Sequence, residues 1–366
     1  MPSDVMVAGH IALDILPDMS SLKPEEVIGA GKVFEIGRIS YSTGGAVSNT
    51  GLALHCLGIN VDLLAIVGAD WVGRAIIDYV RGYDSALGDH IRVLPDAASA
   101  YTIVIEPGNH DRTLLTHTGV YHGFSLDNIN LDLAAACKLF HLGYPTLLPR
   151  LYQDDGAGFL ELVGTIKALG PVTSVDMSLP APDSPSGKAD WRAILRRCLP
   201  YVDIFVPSIE EIMFMLRRAD HDRWGGQIIA RMTADYLADL AEELLDMGVG
   251  IAGFKLGERG LYLEASADAG RLGFLSRIGQ APADWVGIRT WHPPFRVRVA
   301  GTTGAGDAAY AGLIAALIRG LDYQDCARWA CAVAACNIEA ADATSGVRSW
   351  EETEARLAGD WPTHAL

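Results

Sequence analysis

Residues 301–307 read GTTGAGD and lead directly into the apolar stretch AAYAGLIAALI. Glycines let backbone N–H groups converge on an anion without Cβ obstruction, and a helix that starts there adds unpaired donors and the positive end of its dipole. Such a turn suits a phosphate, and it would stabilise charge building on a phosphoryl group in transfer. A carboxylate at Asp307, beside that anion site, is a candidate general base toward an acceptor hydroxyl. The same residues also allow a plainer reading, in which Asp307 charges a helix N-terminus and the glycines serve a tight turn.

A second glycine cluster lies near the other end of the chain. Residues 44–58, GGAVSNTGLALHCLG, set Gly44 and Gly45 before an amphipathic helix that Ser48 or Asn49 could cap. Between the two clusters, SIEEIMFML at 208–216 places Glu210 and Glu211 at a helix start, where acids are favoured by the dipole alone. FKLGERGLYL at 254–263 reads as two short strands around a turn from Gly257 to Gly260, with Lys255 at a strand end.

The elements that must carry these residues alternate between strand-like and helix-like periodicity, which predicts an α/β fold with a mostly parallel sheet covered on both faces. Strands are expected at 4–9, 61–67, 139–142, 172–176, 203–206, 250–256, 260–264 and 295–299. Helices are expected at 48–57, 71–81, 151–169, 208–218, 232–247, 306–319 and 323–341. Four polar, β-branched segments, 11–17, 33–43, 98–106 and 112–118, break the alternation and suggest a separate small sheet. The segments 181–190 and 280–294 read as insertions between sheet elements.

Half of the 366 residues are apolar, enough for a large core, and 29 basic against 45 acidic residues give a formal net charge of -16. That balance argues against nucleic acid or an anionic membrane as partner. The six cysteines show no paired metal-binding spacing, and the N-terminus runs into a strand without a basic region or cleavage site. A cytoplasmic protein is the expectation.

Taken together and in order, GTTGAGD followed by a small-residue helix, and GGxxxN followed by a helix ending in LG, resemble the two signatures of the ribokinase-like (PfkB) carbohydrate kinases. The likeness runs over about 4–347 and implies one Rossmann-like three-layer domain over 1–366. It also implies that the small sheet is a lid over the acceptor site and, in several relatives, a homodimer interface. It implies transfer of the ATP γ-phosphoryl group to a primary hydroxyl of a sugar or sugar-like molecule, with a nucleoside kinase or a sugar- or nucleotide-binding regulator as alternatives. On that reading Asp307 is the base and the amides of Gly304, Ala305 and Gly306 form the anion hole. Asp14, Gly44, Gly45 and Asn49 would contact the acceptor. Ser208, Lys255, Gly257, Gly260, Thr302 and Thr303 would lie along the nucleotide, and Glu211 would hold Mg²⁺ through water. Three positions depart from the family pattern. Ser208 stands where asparagine is usual, and Leu179 where a basic residue is frequent. Gly301 replaces an aspartate that helps hold a monovalent cation in potassium-activated members, which puts such activation in question. Tyr101, Arg112, His117 and Tyr121 are lid residues that could reach substrate. Cys331 falls on the helix that closes the adenine pocket in relatives.

Overall fold

The computed structural model describes residues 2–23, 31–109 and 113–366. Position 112, with Arg112 and the start of one expected lid strand, lies outside them.

The alternating pattern resolves into two sheets. In the large one, β1 (Val5–Gly9), β4 (Val61–Gly68), β5 (Ile91–Leu94), β8 (Leu139–Gly143), β9 (Val172–Asp176), β10 (Ile204–Phe205) and β11 (Ile251–Lys255) run parallel. β12 (Leu261–Ala265) and β13 (Arg289–His292) add an antiparallel edge. The order is β13-β12-β11-β10-β9-β8-β1-β4-β5. β1 shows why both faces must be covered: Val5 and Val7 enter one apolar cluster, Met6 and Ala8 the other.

On the first face lie α1 (Ala46–Cys56), α2 (Trp71–Arg81), α7 (Ala305–Ile318) and α8 (Tyr323–Asn337). On the second lie α3 (Ala157–Leu169), α4 (Trp191–Cys198), α5 (Ile209–Leu216) and α6 (Ala234–Asp246). A further helix, α9 (Trp350–Leu357), brings Trp350 to stack on Trp329 with centroids 3.5 Å apart. α7 is buried almost all round, and its alanines and Gly312 allow close approach to α8, where a Cβ at 312 would lie 2.8 Å from Trp329 O.

The small sheet has the order β3-β2-β6-β7, formed by β2 (Ala12–Pro17), β3 (Ile39–Gly44), β6 (Tyr101–Ile105) and β7 (Thr113–His117). It is built from the four segments that broke the helix–strand alternation, although of 33–43 only the part from Ile39 onward is strand.

Three other sequence expectations are corrected. Residues 295–299 are not a strand: Pro293 and Pro294 remove ladder donors just before them, and Phe295 makes only an isolated bridge to Thr363. The helix expected over 151–169 is interrupted because Asp154, Asp155 and Gly156 all have positive φ. Neither Ser48 nor Asn49 caps α1. Its N-cap is Gly45, and the Ser48 hydroxyl pairs with that of Thr43. Among the described residues, no helix is long and apolar enough to cross a membrane.

Candidate active site

Parallel strands end together, and here Gly9, Gly143 and Asp176 are in register at the carboxyl ends of β1, β8 and β9. Ligands of open parallel sheets bind outside such ends. Two helices and the small sheet converge on this edge.

α7 supplies the centre. Gly304 caps it at φ 72°, where a Cβ would come within 2.5 Å of Ala343 O, so the turn is built for glycine. Thr303 is held from behind by Asn337, whose Nδ2 donates to Thr303 O at 3.0 Å. The Ala305 N–H donates weakly to Thr302 O at 3.3 Å, while those of Gly304 and Gly306 meet no acceptor among the described residues. Asp307, 4 % exposed, follows in the first turn.

The Asp307 carboxylate is tied to the other glycine cluster across 258 residues of sequence. Asn49 Nδ2 donates to Oδ2 at 3.0 Å, and the Thr50 hydroxyl donates to Oδ1 at 3.2 Å. The Tyr144 hydroxyl lies 2.7 Å from both oxygens. The Asn49 side chain is therefore spent on the carboxylate rather than on a helix end, and its Oδ1 is buried without a partner.

Beside Asn49, a Cβ on Gly44 would lie 2.5 Å from Asp14 Oδ2, and one on Gly45 would lie 2.2 Å from His10 Nδ1. Asp14 reaches this point from β2, where it pairs with Ser42 and Thr102. His10 is buried with Nδ1 unpartnered, its ring 4.1 Å from that of Tyr121 and 6.0 Å from that of Tyr144. Burial lowers its pKa to about 3, so it is neutral at physiological pH. Of the lid candidates, Tyr121 is buried and donates to Ile11 O, while Tyr101 and His117 face one another at 5.4 Å.

On the opposite side, Lys255 Nζ donates to both oxygens of the fully buried Asp176 at 2.6 Å. A Cβ on Gly306 would meet Lys255 Nζ at 3.3 Å, so the ammonium sits directly beside the glycine turn rather than in solvent. Burial pushes Asp176 up to about 8, against the pull of Lys255 and with help from Glu211 and Asp307. Glu211 is also raised, first by burial. Burial alone would discharge Lys255, but Asp176, Glu211 and Asp307 outweigh it and hold the ammonium above its ordinary range.

Ser208 and Glu211 form a reciprocal capping box on α5: Ser208 N–H donates to Glu211 Oε2 at 2.7 Å, and Glu211 N–H donates to Ser208 Oγ at 3.3 Å. Gly257 and Gly260, at φ 53° and 82°, shape the turn between β11 and β12. A Cβ at Gly260 would lie 2.0 Å from His292 O. The buried Cys331 thiol points at the same carbonyl, at 3.7 Å. Thr302 is exposed. Among the described residues, no three His, Cys, Asp or Glu side chains cluster as a ready-made metal cage.

Gly301 has a packing reason. A Cβ there would lie 2.8 Å from Ala341 O and 3.2 Å from Ala340 O, so an aspartate would not fit this backbone without movement.

Thr50, Tyr144, Asp176 and His10 are the residues of this cleft not singled out from sequence as site residues. Tyr144 follows a strand end in HLGYP and Thr50 adjoins Asn49. Position at a parallel strand's carboxyl end was the available signal.

Over residues 3–350 the chain matches the family described as pfkB family carbohydrate kinase. It is 26 % identical over 296 residues to a protein named an uncharacterized sugar kinase from Archaeoglobus fulgidus, covering 81 % of this chain and 98 % of that one. It is 22 % identical to a nucleoside kinase from Methanothermobacter thermautotrophicus, covering 98 % and 96 %. The ribokinase of Arabidopsis thaliana, solved with ribose and ATP, superposes with a TM-score of 0.72 at 17 % identity, covering 98 % of this chain and all of that one.

Proposed function

The chain belongs to the pfkB family of carbohydrate kinases and is a phosphotransferase; from that premise we propose that it moves the γ-phosphoryl group of ATP to a primary hydroxyl of a sugar-like acceptor, with Asp307 as general base. The observation that carries this reading is the bridge at Asp307. The carboxylate stands beside open amides at the α7 N-terminus and is held by Asn49 and Thr50 from the helix that follows Gly44 and Gly45.

The acceptor oxygen attacks Pγ while its proton passes to Asp307, and the bond from Pγ to the β,γ-bridging oxygen breaks as ADP leaves. The Gly304 and Gly306 amides, with Ala305 once its weak bond to Thr302 opens, receive the equatorial oxygens. Lys255 stands beside this turn, and Asp176 fixes its position. Thr302, Thr303, Ser208, Gly257 and Gly260 line the approach of the nucleotide.

With no ready-made carboxylate cage among the described residues, Mg²⁺ would be held chiefly by ATP phosphates and water, with Glu211 reaching it through a water molecule. When bound it would supply neutralisation of the phosphate charge. The backbone packed against Gly301 speaks against an aspartate-assisted monovalent cation at that position.

The acceptor side is rich in hydrogen-bond acceptors. The Asp14 carboxylate and the unpartnered Asn49 Oδ1 and His10 Nδ1 together suit a ligand with several hydroxyl donors. A nucleoside is the second reading, favoured by the His10–Tyr121 ring pair and by the archaeal nucleoside kinase relative. We read the small sheet as the lid that excludes water over this pocket. Ile39 and Tyr41 on β3 and Leu114 and Leu115 on β7 are each more than half exposed, and they support pairing of two chains through it, to be tested by sedimentation. Six free cysteines favour a reducing, cytoplasmic setting.

ADP release across pentoses, hexoses, sugar acids and nucleosides tests the assignment. A phosphorylated product from one sugar class supports it, a nucleoside product selects the second reading, and ligand-dependent stabilisation with no product from any compound would make the protein a binding regulator instead.

A further inference from the structure

A carboxylate offers about four lone-pair positions. At Asp307 three donors meet them: Oδ1 accepts from Thr50, Oδ2 accepts from Asn49, and the single Tyr144 phenol proton is shared between the two oxygens, 2.7 Å from each. The phenol oxygen, equidistant from both, occupies the approach to the lone pairs that Thr50 and Asn49 leave, so an acceptor hydroxyl must compete with it for them. Asn49 and Thr50 lie within α1, buried and fixed by the helix. Tyr144 differs in two ways. Its one proton straddles two oxygens, and it stands on the turn after β8 rather than inside an element, partly exposed, with φ 60°.

We propose that Tyr144 is a positioning residue that stands in for the acceptor hydroxyl on Asp307, keeping the base from activating water until a true acceptor displaces the phenol. The inference rests on Asp307 being the base. The phenol is a donor and not itself a base, because burial, then Asp307, Asp176 and Glu211, raise its pKa well above that of free tyrosine. It also borders the acceptor pocket, with its ring 6.0 Å from His10. The reaction it suppresses is hydrolysis: a water oxygen bonds to Pγ, its proton goes to Asp307, the bridging bond breaks, and ADP and phosphate leave. With the phenol in place, a water must displace it to pass that proton to either oxygen of Asp307.

The test compares ADP formation from MgATP, with no acceptor, for the wild type, Tyr144→Phe and Tyr144→Asn. Phe keeps the ring. Asn tolerates the left-handed backbone and is too short to reach Asp307, so it serves if the Phe variant folds poorly. A hydrogen bond to a charged group is worth about 1.5–3 kcal/mol, so both variants should hydrolyse ATP at least about tenfold faster than wild type. Adding Asp307→Asn to either variant should abolish the gain. Hydrolysis in folded variants that stays at the wild-type rate overturns the proposal. A gain that survives Asp307→Asn also overturns it. If Asp307→Asn alone leaves acceptor phosphorylation intact, the failure is instead that of Asp307 as base.

Discussion

Lys255→Met removes the only cation paired with Asp176 among the described residues, and its effect can be worked from the geometry. The side chains are 10 % and 0 % exposed, with Nζ 2.6 Å from both carboxylate oxygens. At an effective dielectric of about 20, such a contact carries roughly 6 kcal/mol of gross attraction. Desolvation offsets much of that in the intact pair, but removing one partner leaves a buried carboxyl that must stay ionised or take up a proton, at a net cost of about 3–5 kcal/mol at alkaline pH. With an m value of about 3 kcal/mol/M, this is a fall of roughly 1–1.7 M in the urea midpoint.

The sign of the pH dependence follows from Asp176, whose folded pKa burial raises above its ordinary value of 3.8. A carboxyl raised on folding favours the folded state at acid pH and loses that advantage as pH climbs above about 4. Without Lys255 the ionised form is disfavoured further. The variant's deficit should therefore be small near pH 5 and largest at pH 8–9. Adding Asp176→Asn should recover about 1–2 kcal/mol at pH 8 by removing the carboxyl that has lost its cation. Midpoints that match wild type at pH 8, or a double variant no more stable than Lys255→Met, would refute the paired-charge account.

Two glycines test the two halves of the cleft. Gly45→Ala puts a methyl 2.2 Å from His10 Nδ1 at a residue with φ 91°, so KM for the acceptor should rise at least about tenfold while KM for ATP changes little in steady-state assays. Gly304→Ala forces a left-handed alanine against Ala343 O, at roughly 1–2 kcal/mol of backbone strain before the clash is counted. Its kcat should fall by an order of magnitude or more with acceptor affinity retained, as read from kcat and from calorimetric acceptor binding.

Local features of the fold were legible, and long-range ones were not. The turn at 301–307 and the helix after it are written in consecutive residues, as are the strands whose apolar runs are buried on both faces. The bond from Asn49 to Asp307 was not readable, because nothing in a capping-type sequence says that the side chain will cross to another helix. SIEE carries the Ser-x-x-Glu pattern of a capping box, and the structure uses it as one, so the same two residues had two physical readings. FRVRV alternates like a strand, but alternation cannot supply a neighbour, and Pro293 and Pro294 detach it from β13. The break at Asp154–Gly156 carries no sequence signal, because aspartate rarely adopts positive φ twice in succession. Tyr144 was invisible as a site residue because its reach depends on that same uncommon conformation.

The account turns on Asp307, and Asp307→Asn measures it most directly. ATP affinity by calorimetry should stay within about threefold of wild type, since the open amides and Lys255 remain, while kcat for acceptor phosphorylation falls by about 10²–10⁴, the usual contribution of a positioned base. A variant that still phosphorylates its acceptor at the wild-type rate would contradict the central claim.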